Sequence, residues 1–266
     1  MNGKVVTVTS GKGGVGKTTT TANLGIALAS LGQKVVCIDA DIGLRNLDVV
    51  LGLENRIVYD LVDAIEGRCR LTQAMIRDRR FSNLHLIPAA QTRDKSAIAP
   101  SDMVRLCKEL RSEVDWIIID SPAGIERGFR NALAPSDEVL VVTNPEVSSL
   151  RDADRIIGLV EAEEKGPAKL IINRINPGMV KRGDMLSAPD VVELLAIPLI
   201  GVVPEDELVL VSTNQGHPVV LNDKSQAGLA FVNIGKRLMG EEVPWQDLNG
   251  KSDLFKILGK LFTRGS

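Results

Sequence analysis

The run Gly11-Lys12-Gly13-Gly14-Val15-Gly16-Lys17-Thr18-Thr19 follows directly on the apolar residues 4–9 and leads into a segment of helical period. Gly11, Gly16, Lys17 and Thr18 satisfy G-x-x-x-x-G-K-[ST], a phosphate-binding loop set between a strand and a helix. The glycines let successive backbone N–H groups curl round a polyphosphate with no Cβ in the way. The helix that follows turns its N-terminal partial charge on the same anion. Lys17 is expected to neutralise the β- and γ-phosphates, and the Thr18 hydroxyl to hold Mg2+. A loop of this kind implies an α/β chain that binds a nucleoside triphosphate.

The rest of the sequence agrees with that frame. Residues 5–9, 34–39, 84–88, 116–120, 139–143, 169–173 and 199–203 are short, nearly continuous Val/Ile/Leu runs, the pattern of parallel strands covered on both faces. Between them lie segments of helical period at 18–31, 100–113, 150–164, 189–195 and 225–239. Strand–helix–strand repetition predicts right-handed crossovers and a doubly wound, mostly parallel sheet with helices on both faces, a P-loop NTPase architecture. Ligands in such sheets sit outside the carboxyl ends of the strands. The 266 residues suit one large domain, placed at 1–239, with a linker at 240–252 and a terminal helix at 253–264.

The net charge of −2 offers no global attraction for nucleic acid, and 3% aromatic residues leave little for base-stacking platforms. Cys37, Cys69 and Cys107 form no C-x-x-C pair and are expected to be small buried apolar residues in a reducing compartment. No leader-like segment precedes residue 4, and no apolar run reaches bilayer length. The expected location is the cytoplasm, or the stroma if a transit peptide has been removed.

Carboxylates close two of the apolar runs. One ends in Cys37-Ile38-Asp39-Ala40-Asp41 and another, the fourth expected strand, in Ile119-Asp120-Ser121-Pro122. An aspartate at the end of a buried strand is the Walker B arrangement, which holds the metal through its water shell. Asp120 fits it. Of Asp39 and Asp41, one could support the metal and the other orient the attacking water. A guanine site would present N-K-x-D late in the chain; here that place holds Asn173-Arg174-Ile175-Asn176, which favours adenine. Asn173 has the donor and acceptor to read a base edge, or it caps a loop.

Lys12, in the second position of the loop, looks like the signature lysine of the deviant Walker A ATPases, in which that residue reaches into the partner subunit's site. Together with DADIGLRNLD at 39–48, DSPAGIE at 120–126 and VPED at 203–206, the chain resembles the MinD branch of the ParA/MinD family, the division-site-selection ATPases of bacteria and plastids. The similarity runs over essentially the whole length. It implies Mg2+-dependent hydrolysis of ATP by a homodimer. Lys12 acts across the dimer, Asp41 positions water, Asp120 lies in the metal region, and Asn173, Pro204, Glu205 and Asp206 flank the adenine. The resemblance also implies membrane binding, recruitment of a MinC-like division inhibitor and stimulation by a MinE-like activator. Ile125, Glu126, Ser148, Arg151, Asp152 and Asp154 are the corresponding partner surface.

The last segment reads Asp253-Leu254-Phe255-Lys256-Ile257-Leu258-Gly259-Lys260-Leu261-Phe262-Thr263-Arg264. Leu254, Phe255, Ile257, Leu258, Leu261 and Phe262 fall on one helical face, with Lys256, Lys260 and Arg264 opposite. A helix too short to span and cationic on one side suits the inner face of an anionic membrane; the alternative is a terminal helix docked on the domain. Three other functions share parts of this pattern. A DNA-segregating ParA-type ATPase needs a basic surface, a cluster-carrying iron protein needs suitably spaced cysteines, and a flagellar-placement ATPase differs in its partners.

Overall fold

The computed structural model describes residues 2–93 and 97–246. Its strands are β1 (Lys4–Thr9), β2 (Val35–Asp39), β3 (Ile76–Arg77), β4 (Leu84–Ile87), β5 (Trp116–Asp120), β6 (Glu138–Thr143), β7 (Ala168–Ile175) and β8 (Leu199–Pro204). They form one sheet in the order β3-β4-β2-β5-β1-β6-β7-β8, and every pairing is parallel except β3 with β4. The helices are α1 (Lys17–Ser30), α2 (Leu47–Leu51), α3 (Leu61–Ile65), α4 (Leu71–Ala74), α5 (Pro100–Leu110), α6 (Arg127–Leu133), α7 (Val147–Ala162), α8 (Pro177–Arg182), α9 (Ala188–Leu195), α10 (Glu207–Asn214) and α11 (Gln226–Leu238).

Strand alternation sorts the core into layers. In β2, Val35 and Cys37 join a cluster with α1 and α11, whereas Val36 and Ile38 join Met103, Leu106 and Leu110 of α5 on the other face. In β6, Leu140 and Val142 face α1 and α11, and Val139 and Val141 face α6 and α7. This doubly wound, mostly parallel arrangement is the one expected, and its β-branched strands are buried on both sides. α1 lies tight against the sheet because it is rich in small residues: a Cβ on Gly25 would overlap the Cys37 sulfur. At the amino ends of the strands, buried Glu138 is clamped by Lys4 and Lys169, which fixes β1, β6 and β7 away from the site.

Several expectations need correction. β3 is an additional, two-residue antiparallel edge strand, so Asp120 closes the fifth strand rather than the fourth. Cys37 and Cys107 are buried, but Cys69 is partly exposed. The domain also runs past residue 239 into the expected linker. Arg237 donates to the carbonyls of Val243 and Pro244, its guanidinium lies 4.0 Å from the Trp245 ring centroid, and Gln246 bonds Gln226. The terminal helix expected at 253–264 lies outside the described residues. Among the described residues no helix is long and apolar enough to cross a membrane.

Candidate functional site

The glycine-rich loop leaves the carboxyl end of β1 between its sheet neighbours β5 and β6. Gly14 and Gly16 adopt φ of +79° and +97°, conformations that a side chain would strain. Around Gly13 and Gly14 no atom stands within 4 Å of where a Cβ would be, so the loop's outer rim is open. Gly16 directly precedes α1 and offers no side-chain cap, which leaves the first amides of that helix to an anion. Lys17, the first residue of the helix, is 9% exposed, while Lys12 lies out on the rim with its ammonium 3.5 Å from the Ser148 hydroxyl of α7. Val15 is buried and anchors the loop, and Thr19 is half-buried.

Asp120 ends β5 beside Val8 of β1, so its carboxylate meets the first turn of α1. The Thr18 hydroxyl donates to Asp120 Oδ2 at 2.6 Å and the Thr21 hydroxyl to Oδ1 at 3.2 Å. Thr21 escaped sequence reading, although it stands one turn beyond Lys17, whose carbonyl it also bonds at 3.1 Å. Burial lifts Asp120 above the usual carboxylate range, against the lowering pull of Lys17, Thr18 and Thr21, and Asp41 adds to the rise.

Asp39 stands next to Asp120 in register across β2 and β5. Its Oδ1 accepts from the Asp41 amide at 3.0 Å, and its Oδ2 from the amides of Asn46 and Leu47 at 3.3 and 3.1 Å. Both oxygens accept backbone amides, so Asp39 fastens the start of α2 to the end of β2. Burial and the neighbouring Asp120 raise its titration well above the ordinary carboxylate range. Asp41 is half-buried at the wall of a small cavity with Pro122, Gly128 and Asn131.

On the other flank β7 breaks its register between Ile172 and Ile175, and Arg174 sits at φ +56°. That bulge aims Asn173 at the loop: its Nδ2 donates to the Val15 carbonyl at 2.7 Å, and a Cβ on Gly16 would strike the same amide. Pro204 ends β8 opposite Ile175. Glu205 accepts from Asn176 Nδ2 at 2.8 Å, and its own amide donates to the Ile175 carbonyl. Asp206 caps α10 through the Leu208 amide at 2.9 Å and takes the Ser225 hydroxyl at 2.7 Å. Burial opposes ionisation of Asp206, but these donors outweigh it and hold the group below the ordinary range.

The donor set fits Mg2+ and a polyphosphate. An open amide cradle, a buried lysine, a hydroxyl and two crowded carboxylates converge at the end of β1; Thr18 and Asp120 are the residues that would hold the ion. The expected partner surface lies alongside. Ile125, Glu126, Ser148, Arg151 and Asp154 are exposed, and Asp152 is half-buried beneath Gly11, where a Cβ would overlap its backbone.

Comparison with known proteins agrees. A family model described as the CobQ/CobB/MinD/ParA nucleotide binding domain matches residues 6–219. The chain is 56% identical over 245 residues to the septum site-determining protein MinD of Synechocystis sp., covering 92% of each. It superposes with a TM-score of 0.86 and 50% identity on a chain of the MinC:MinD cell division protein complex of Aquifex aeolicus, covering 91% of this chain and 98% of that one. A septum site-determining MinD complexed with Mg-ADP, from Pyrococcus horikoshii, aligns with a TM-score of 0.80 and 30% identity over 88% and 95% of the two chains.

Proposed function

This chain belongs to the MinD family of septum site-determining ATPases, and from that premise we propose that it hydrolyses Mg·ATP as a reversible, dimer-controlled membrane switch. The observation that carries the catalytic part is the meeting of Thr18 and Asp120 beneath the glycine-rich loop. A Mg2+ ion bound there would draw charge from the β- and γ-phosphate oxygens. Lys17 supports the same charge, and the loop amides of residues 13–17 hold the phosphates in line. Asp41, in the segment after β2, orients the water whose oxygen attacks the γ-phosphorus as the bond to ADP breaks. Lys12, already on the exposed rim, reaches the nucleotide of a second copy and stabilises the charge that develops there. Asn173, which props the loop, flanks the adenine together with Pro204, Glu205 and the Asp206 backbone.

Dimerisation couples this chemistry to location. Two amphipathic tails on one dimer bind an anionic surface with an avidity gain of roughly 10²–10⁴ over one. A MinC-like inhibitor then docks near the seam, consistent with the existence of a MinC:MinD complex in Aquifex aeolicus, and a MinE-like activator triggers hydrolysis and release. The test is phosphate release from ATP with and without Mg2+, alongside sedimentation of the same sample. Turnover that requires Mg2+ and rises more steeply than linearly with protein concentration is expected. Turnover per chain that is constant across concentration would sink the dimer requirement.

A further inference from the structure

Two short helices leave the site from different flanks and meet at their far ends. α2 starts where Asp39, neighbour of Asp120, takes the Asn46 and Leu47 amides. α10 starts where Asp206 takes the Leu208 amide. At the other end, Gly52 and Gly216 pack backbone against backbone, at φ +68° and +64°. A Cβ on Gly52 would lie 2.5 Å from the Gly216 carbonyl oxygen, and one on Gly216 would lie 2.8 Å from Gly52 Cα.

One guanidinium clasps this junction. Arg80 Nη2 donates to the carbonyl of Leu51, the last residue of α2, at 2.7 Å, and Nη1 to the carbonyl of Gly216 at 3.3 Å. Asp78 holds that fork in place, accepting from Nε at 3.1 Å and Nη2 at 2.6 Å, with its own side chain fully buried. A planar fork can serve all these acceptors at once; a lysine ammonium cannot reach them in this geometry. The outer side of the junction is a cavity of about 350 Å³ lined by Asn55, Gln215 and His217 among others. Hydrogen bonds therefore supplement the apolar packing of Leu208 and Val209 against the layer that holds α2.

We propose that Arg80, steadied by Asp78, is a positioning residue that sets the spacing between the phosphate side of the site and its base side. The inference rests on the reading that residues 204–206 flank the adenine. Its physical content is preorganisation: base and triphosphate are engaged together only if the loop after β8 stands at the right distance from the ends of β2 and β5, where Asp39 and Asp120 meet. Without the clasp each half of the site survives, and what is lost is their joint grip on one molecule.

Equilibrium titrations of wild type and Arg80→Lys with Mg·ATP, Mg·GTP and magnesium tripolyphosphate test this, with melting of the nucleotide-free proteins alongside. ATP affinity should fall about tenfold in the variant. Tripolyphosphate affinity should hold within about twofold, and preference for ATP over GTP should shrink with the loss of ATP affinity. Gly216→Ala leaves Arg80 in place but pushes the two backbones apart, so it should give the same selective loss even if Arg80→Lys folds poorly. Unchanged ATP affinity, or equal weakening of ATP and tripolyphosphate, would overturn the proposal. A wild-type protein that binds ATP no more tightly than tripolyphosphate would instead remove the base-side reading, and this inference with it.

Discussion

Lys12 and Lys17 stand five residues apart in one loop and have opposite surroundings, the first exposed and the second buried at the base of the phosphate cradle. Their substitutions should therefore separate binding from turnover. Lys17→Ala removes a charge-assisted contact worth about 1.5–3 kcal/mol, so nucleotide affinity should drop roughly tenfold to a hundredfold. Lys12→Ala should bind Mg·ATP nearly as wild type and lose turnover by about 10³-fold, the scale of a missing arginine finger. A Lys12→Ala protein with wild-type turnover would exclude any role for that residue across a dimer. The aspartates were less legible. Sequence supplied three carboxylates at two strand ends, but how each is held depends on where α2 begins, and Asp39 accepts the first amides of that helix. The same crowding has a pH signature. Asp39 and Asp120 both titrate above their unfolded range, so the native state keeps protons that the unfolded chain releases. Stability of the nucleotide-free protein should then fall as pH rises from the ordinary carboxylate range, near 4, toward neutrality. Mg·ATP should flatten that slope, because a bound cation favours the ionised carboxylates. Melting curves from pH 5 to 8, with and without Mg·ATP, read it directly; parallel slopes would refute the pairing.

Secondary elements were legible wherever local pattern and burial agreed. The seven apolar runs are all strands, and the five long periodic segments are all helices. β3 was not, because two residues carry no period and its antiparallel pairing depends on the chain folding back onto β4. α10 is the instructive case. Its sequence Glu-Leu-Val-Leu-Val-Ser-Thr-Asn has the apolar, β-branched composition of a strand, and of its residues only Ser212 is buried. Its helical start is set by Asp206, whose carboxylate also ties the loop to Ser225 and Ala227 at the beginning of α11. One side chain thus starts two helices beside the proposed adenine. Asp206→Ala should cost about 0.5–2 kcal/mol for the lost cap, which lowers the melting temperature by a few degrees. It should also weaken ATP more than tripolyphosphate. A variant with unchanged melting would mean that packing of α10 against α2, rather than the cap, holds that corner.

At the scale of the whole molecule, the fold separates what holds it together from what does the work. The Glu138 clamp fixes the amino ends of β1, β6 and β7, three apolar clusters hold the strands along their length, and the candidate site residues gather at the carboxyl ends. The rim that carries Lys12 continues onto the exposed residues of α7, so in the proposed function the surface for a second copy would also be the one a regulator reads. Residues 243–245 are fastened back onto α11 and β8 through Arg237, and Gln246 onto α11 through Gln226. On the proposed membrane reading, six apolar side chains, partly buried, would contribute on the order of 6–9 kcal/mol at a membrane surface, and three basic residues roughly 3 more. Ordering about eleven residues would cost on the order of 11–16 kcal/mol, which would leave one tail marginal and make a pair decisive. Co-sedimentation with anionic liposomes should thus be strong in ATP and weak in ADP for the full chain, and absent in both for a chain ending at Gly250. Increasing salt should weaken it, since part of the attraction is screened charge. Equal pelleting in ATP and ADP would show that one tail suffices, and membrane residence would then have to be controlled by something other than dimerisation.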